Sequence, residues 1–165
     1  MRDVELAIRY LAFSDNEIEY TGNLKYFLDE CSQSYNYNFD SDEFREQIST
    51  KLDNLNLAIE EGFAIFGGHN FSKKWSGTAF EFRFNRAIFD VMVGSLSQEA
   101  LRKWASNNRP AVCGAFKSLC VNDKEFIRAI ESTTKTPENT RKRFRSWYAV
   151  LHELSDIALE IPNIK

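Results

Sequence analysis

Ser41-Asp42-Glu43-Phe44-Arg45-Glu46-Gln47-Ile48-Ser49-Thr50-Lys51-Leu52-Asp53-Asn54-Leu55-Asn56-Leu57-Ala58-Ile59-Glu60-Glu61-Gly62-Phe63-Ala64-Ile65-Phe66 is the stretch whose reading decides the fold class. Phe44, Ile48, Leu52, Leu55, Ile59, Phe63 and Phe66 recur at steps of three and four, which places them in one stripe along a helix. Asp40-Ser41-Asp42-Glu43 has the Asp-x-x-Glu form of a capping box and sets anions where a helix N-terminus favours them. Gly67-Gly68 supplies the stop. A helix from about Ser41 to Phe66 with so long an apolar stripe must be covered by other elements.

Those elements also read as helices. Arg2 to Phe13 carries Val4, Ile8 and Leu11 in one stripe and Leu6, Tyr10 and Phe13 in a second. Arg2, Glu5 and Arg9 share its polar face, where Glu5 and Arg9 stand one turn apart. Only Met1 precedes this helix, so the chain reads as a module of a larger protein. Asn23 to Tyr35 places Leu24, Phe27, Leu28 and Cys31 on one side, and Asn85 to Gly94 resumes helix. Ser97 reads as an N-cap, with Leu96 stapling against Leu101. Pro110 suits the first turn of a helix holding Cys113, Phe116 and Cys120, and Asn122-Asp123-Lys124-Glu125 caps another with Phe126, Ile127 and Ile130 inside. Thr136-Pro137-Glu138 opens a second long helix, Pro137 to Glu160, with Phe144, Tyr148, Leu151, Leu154 and Ala158 as its stripe. His69 to Phe84, with an alternating Phe80, Phe82, Phe84 run, reads as loop. The expectation is one all-α domain over 1–165, with two long helices as its frame and shorter ones around them.

Composition agrees. Among 165 residues, 43% are hydrophobic and 14% aromatic, enough for a core, while seven Gly and three Pro are too few for a turn-rich β fold. The net charge of −3 provides no overall field for a polyanion, so any nucleic-acid contact must be local. Three cysteines without a Cys-x-x-Cys spacing speak against a disulfide framework and a zinc site, and a reducing cytoplasm is the simplest setting. No apolar run approaches the roughly 18 residues of a membrane span. No cofactor motif is present: Gly67 to Lys74 lacks the Gly-x-x-x-x-Gly-Lys-Ser/Thr frame of a phosphate loop.

Three stretches carry a resemblance. Arg2 to Phe13 with Tyr20-Thr21-Gly22-Asn23-Leu24-Lys25-Tyr26-Phe27-Leu28-Asp29, then Asn85-Arg86-Ala87-Ile88-Phe89-Asp90, then Thr133 to Trp147 resemble, in order and character, the helical region of the GmrSD-type restriction endonuclease family. In that family a ParB/sulfiredoxin-like domain with an Asp-Gly-Gln-Gln-Arg motif, tied to nucleotide hydrolysis, precedes such helices, and an HNH nuclease domain often accompanies it. No Gln-Gln-Arg occurs in this chain, and His69-Asn70 is the nearest approach to an HNH centre, so no catalytic residue carries over. The resemblance implies a non-catalytic helical module of a phage-defence system, partnered by a ParB-like or HNH nuclease protein.

Three groups of residues are candidate sites. Arg141, Lys142, Arg143 and Arg145 crowd the start of the last helix as a phosphate-binding patch, the plainer alternative being a solvated face. Lys73, Lys74, Arg83 and Arg86 surround Trp75, a pairing of cations and an aromatic found in single-strand binding, although a core role for Trp75 is the simpler reading. Arg145 and His152, with six residues between them, resemble the Arg-x4-6-His signature of HEPN ribonucleases. Two helical turns put both on one face, with His as acid or base and Arg on a phosphate. This metal-independent ribonuclease is the alternative function, and such sites need a dimer. Metal ligands are not indicated: His69 and His152 lack neighbours at ligand spacing.

Overall fold

A computed structural model describes residues 2–165. The chain is all-α, with eight helices among the described residues: α1 (Arg2–Phe13), α2 (Leu24–Asn38), α3 (Asp42–Phe66), α4 (Arg86–Leu96), α5 (Glu99–Ser106), α6 (Arg109–Asn122), α7 (Lys124–Glu131) and α8 (Pro137–Ser155). No helix among the described residues is long and apolar enough to cross a membrane.

The axis of the packing is α4, one of the shorter helices. Its sequence, Arg86-Ala87-Ile88-Phe89-Asp90-Val91-Met92-Val93-Gly94-Ser95-Leu96, is apolar nearly all round, and a helix of that kind is stable only when enclosed on every side. Every residue from Ala87 to Leu96 except Gly94 is buried. α3 lies against it, α1 and α8 cover two further sides, and α5 packs at its end. α6 bridges α3 and α8, and α7 rests on α8. Phe13, Phe27, Phe116, Phe126 and Phe144 are buried among these helices. Ring pairs such as Phe116–Trp147 (centroids 5.6 Å apart, planes at 87°) meet edge to face.

Both long helices form, with altered ends. Ser41, not Asp40, caps α3: its hydroxyl accepts from the Phe44 N–H at 3.3 Å. Phe66 is the last residue of α3, as expected, and Gly67 caps it at φ 82°. Phe63 belongs to the stripe but is 46% exposed, at the edge of the buried face, where its ring meets Phe71 edge to face at 5.4 Å. α8 ends at Ser155, one turn and a half before the expected stop near Ile161-Pro162. Asp156 adopts the left-handed conformation (φ 57°, ψ 20°) and its N–H bonds to the His152 carbonyl at 2.8 Å, closing the helix. Leu154 and Ala158 consequently lie outside the core. The released segment runs back along the molecule and pairs with Tyr20: the Tyr20 N–H donates to Asn163 O (2.9 Å) and the Lys165 N–H to Tyr20 O (3.1 Å).

Three smaller boundaries also move. α2 extends to Asn38, capped by the Asn23 side chain at the Tyr26 N–H. Ser97 ends α4 and Gln98 precedes α5, because the Gln98 side chain is drawn to the C-terminal segment, donating to Glu160 O (3.1 Å) and accepting from Glu160 N (3.0 Å). Phe80, Phe82 and Phe84 form no strand; only an isolated Trp75–Phe80 bridge is present there.

Candidate functional site

Asp90 is the one buried ionisable group of α4, and burying a lone carboxylate is prohibitive unless cations meet it. Two do. Arg9 from α1 donates through Nε to Oδ1 at 2.9 Å and through Nη2 to Oδ2, a forked pair. Arg143 from α8 donates through Nη2 to Oδ2 at 3.3 Å. All three residues are at most 4% exposed. Arg143 Nη1 also bonds Thr134 O (2.7 Å) and Thr140 Oγ1 (3.1 Å), while its Nε is buried without a partner.

Two guanidinium groups on one carboxylate leave a positive charge in excess. Burial disfavours the Arg9 cation, but Asp90's charge and hydrogen bonds outweigh it and hold the Arg9 pKa above the ordinary value. At Arg143 burial prevails over Asp90, and the pKa lies below the ordinary value. Both remain cations at neutral pH.

Above Arg9 and Arg143 a cleft of about 780 Å³ opens. Arg83, Arg86 and Lys135 join the two buried arginines in lining it, together with Glu5, Glu81 and Glu131. The carboxylates are engaged: Glu5 pairs with Arg86 at 3.1 Å, and Lys74 pairs with Glu81 at 3.5 Å and with Glu131. Counting Asp90 and Lys74, six cations face four carboxylates, two positive charges in excess on a molecule whose net charge is −3. Arg83 and Lys135 have no ion-pair partner among the described residues.

Three helices begin at the cleft's walls, and α7 ends there with Ile130 and Glu131. Leu24 opens α2, Asn85 caps α4 through the Ala87 and Ile88 N–H groups, and Thr134 and Lys135 lead into α8. Gly22 at φ 103° lets the α2 start sit against α8; a Cβ there would lie 2.9 Å from Pro137 Cδ. The Tyr20 hydroxyl, donating to Lys135 O, ties the same two segments. Helix N-termini carry partial positive charge, so three of them around one cleft reinforce its sign.

The structure takes the expected basic run apart. Arg141 reaches Ile164 O at 3.4 Å, Lys142 pairs with Glu125, Arg143 is buried in the cluster, and Arg145 alone is exposed without an ion pair among the described residues. Arg9, read from sequence as a surface partner of Glu5, is instead inside against Asp90, because α4 brings the carboxylate that Arg9 needs. In the second group Lys74 is held by its two glutamates and Lys73 is half-buried, while Arg83 and Arg86 reach the cleft. Trp75 packs on Phe80 (5.1 Å), with the Lys117 ammonium 4.3 Å from its ring centroid. Sequence reading missed the cluster although its signal was present: a single Asp inside an apolar helix demands buried cations.

Arg145 and His152 both project to solvent from α8. His152 Nδ1 lies 3.0 Å from Ile157 O, which fixes the ring against the outgoing chain. Neither lines the neighbouring cleft formed by Ser118, Leu119, Val150, Glu153 and Leu154, and no group of three or more His, Cys, Asp or Glu with metal-binding geometry occurs among the described residues. No family model, curated protein or solved structure matches the chain.

Proposed function

We propose that this chain is a non-catalytic helical module that works by contact with protein or nucleic acid, of the kind found after the nucleotide-hydrolysing domain of GmrSD-type restriction proteins, acting in phage defence in the cytoplasm. One observation carries the reading. Arg9, Asp90 and Arg143 come one from each of the three stretches that bear the resemblance, and they meet in a single buried ion cluster. Residues that look unrelated along the chain are thus one physical unit, a cationic cleft with its floor. In this reading the reaction chemistry belongs to a ParB-like or HNH partner.

A ribonuclease acting through Arg145 and His152 is the competing reading, since both are exposed on one face of α8. Incubating the purified chain and its His152→Ala variant with labelled single-stranded RNA and DNA, in the presence of chelator, separates the two. Intact substrate with both proteins is expected. Cleavage that disappears with His152 would replace the module with a metal-independent ribonuclease.

A further inference from the structure

The cationic cleft bordered by α1, α4 and α8 has charge beyond what its own carboxylates neutralise, and Arg83 and Lys135 at its mouth are exposed and unpaired among the described residues. Arg143 below them is 2% exposed, with Nε lacking any partner. An uncompensated buried cation is costly, and an anion entering the cleft offsets that cost. The starts of α2, α4 and α8 at its walls outnumber the one helix end there, that of α7, so the helix termini add on balance to the positive sign. The cleft therefore fits an anion, and phosphate is the anion that Arg holds through paired donors and Lys as a point charge.

A second feature names the rest of the ligand. Phe82, at the bend between Glu81 and Arg83, is 99% exposed, and Phe84 beside it is 46% exposed. Of the two, Phe84 lines the cleft together with Glu81 and Arg83, so an exposed aromatic ring stands in the wall of a positive site. Aromatic rings next to cations are the recurring device for unpaired bases. A volume of about 780 Å³ lies in the ~300–1,000 Å³ range of ligand pockets and suits one nucleotide unit; the bases of a duplex are already stacked and paired and offer Phe84 no free face.

We propose that this cleft binds single-stranded nucleic acid, with a backbone phosphate held by Arg83 and Lys135 over the Arg143 charge and a neighbouring base stacked on Phe84. This rests on the reading of the chain as a contact module and identifies its nucleic-acid surface. Arg143 acts through its charge, since its guanidinium is already committed to Asp90, Thr134 and Thr140.

Fluorescence anisotropy of the full chain with a short labelled single strand, DNA or RNA, in chelator tests it. The duplex form of the same sequence, a nucleoside monophosphate and inorganic phosphate serve as competitors. Expected is saturable single-strand binding that the duplex competes for poorly, weakening with a log–log salt slope of roughly −0.7 for one phosphate. Phe84→Ala is expected to weaken binding by about fivefold or more. The Arg83→Glu/Lys135→Glu double variant is expected to abolish it, while Lys124→Glu, a charge reversal at the far end of α7, leaves it unchanged. These side chains are exposed, so the helical circular dichroism of the variants should match that of the parent. Binding indifferent to the double variant, or stronger for the duplex, overturns the cleft assignment. A monophosphate competing as well as the strand overturns the strand in favour of a free nucleotide. No binding to any probe overturns the cleft proposal and leaves docking to a protein partner as the module's role. Cleavage lost with His152→Ala overturns the module reading itself.

Discussion

Asp90 is one carboxylate serving two buried guanidinium groups, and it is the residue on which the helix packing and the cleft both depend. Removing it strands two cations inside the molecule, a loss that in buried pairs costs about 3–5 kcal/mol. Asp90→Ala is therefore expected to lower the stability read from urea unfolding by about that amount. Arg143→Met is expected to cost less, because one forked Arg9–Asp90 pair survives and a surplus charge is removed. Equal losses from the two substitutions would contradict the view that Arg143 is the cation in excess. Arg143 also shows how far a residue's role escapes sequence reading. It stands among Arg141, Lys142 and Arg145 in a run that looks uniformly solvated, yet only its position over Asp90 makes it interior.

Helix identity was legible wherever apolar spacing was long, as in α3, because a stripe repeated over many turns has one geometric solution. Helix ends were less so. α8 stops at Asp156 for a local left-handed cap and for the pairing of the following segment with Tyr20, and neither is encoded in the periodicity of Phe144, Tyr148 and Leu151. The central place of α4 was readable in principle from its all-round apolarity, whereas its neighbours α1 and α8 required the fold. The contact between the starts of α2 and α8 depends on Gly22. With φ 103° and Pro137 Cδ only 2.9 Å from where a Cβ would sit, Gly22→Ala is expected to destabilise the protein by at least about 1–2 kcal/mol, measurable as a lower unfolding midpoint. It is also expected to loosen the cleft wall formed by Lys135. An Ala variant as stable as the parent would mean that the two helix starts are not locked together.

Across the whole molecule the enclosed core sets the chemistry of the thiols. Burial pushes the Cys31 and Cys120 thiols up to about 11, against about 8.5 for a free cysteine. At about pH 8 an aromatic disulfide reagent is therefore expected to modify one thiol, Cys113, in the native chain and all three in denaturant. The raised values also fix a pH dependence. Because the unfolded state loses these protons first, the stabilisation is complete below about pH 8.5 and declines as pH rises through about 11. The decline should be shallower in a Cys31→Ala/Cys120→Ala variant; an identical decline would assign it to other groups.

The candidate site was partly legible: Arg83, Arg86, Arg143 and the pairing of cations with exposed aromatics are visible as residue types. Their grouping was not, since it joins α1, α4, α8 and two loops that are distant along the chain. The most direct test of the account follows backbone amide NMR shifts of the isotopically labelled chain as a single-stranded oligonucleotide is added in chelator, with the oligonucleotide recovered afterwards. The account predicts shifts concentrated in Glu81–Ala87 and Glu131–Lys135 and a strand recovered intact. Shifts centred on Arg145 and His152, with the strand cut, would contradict it.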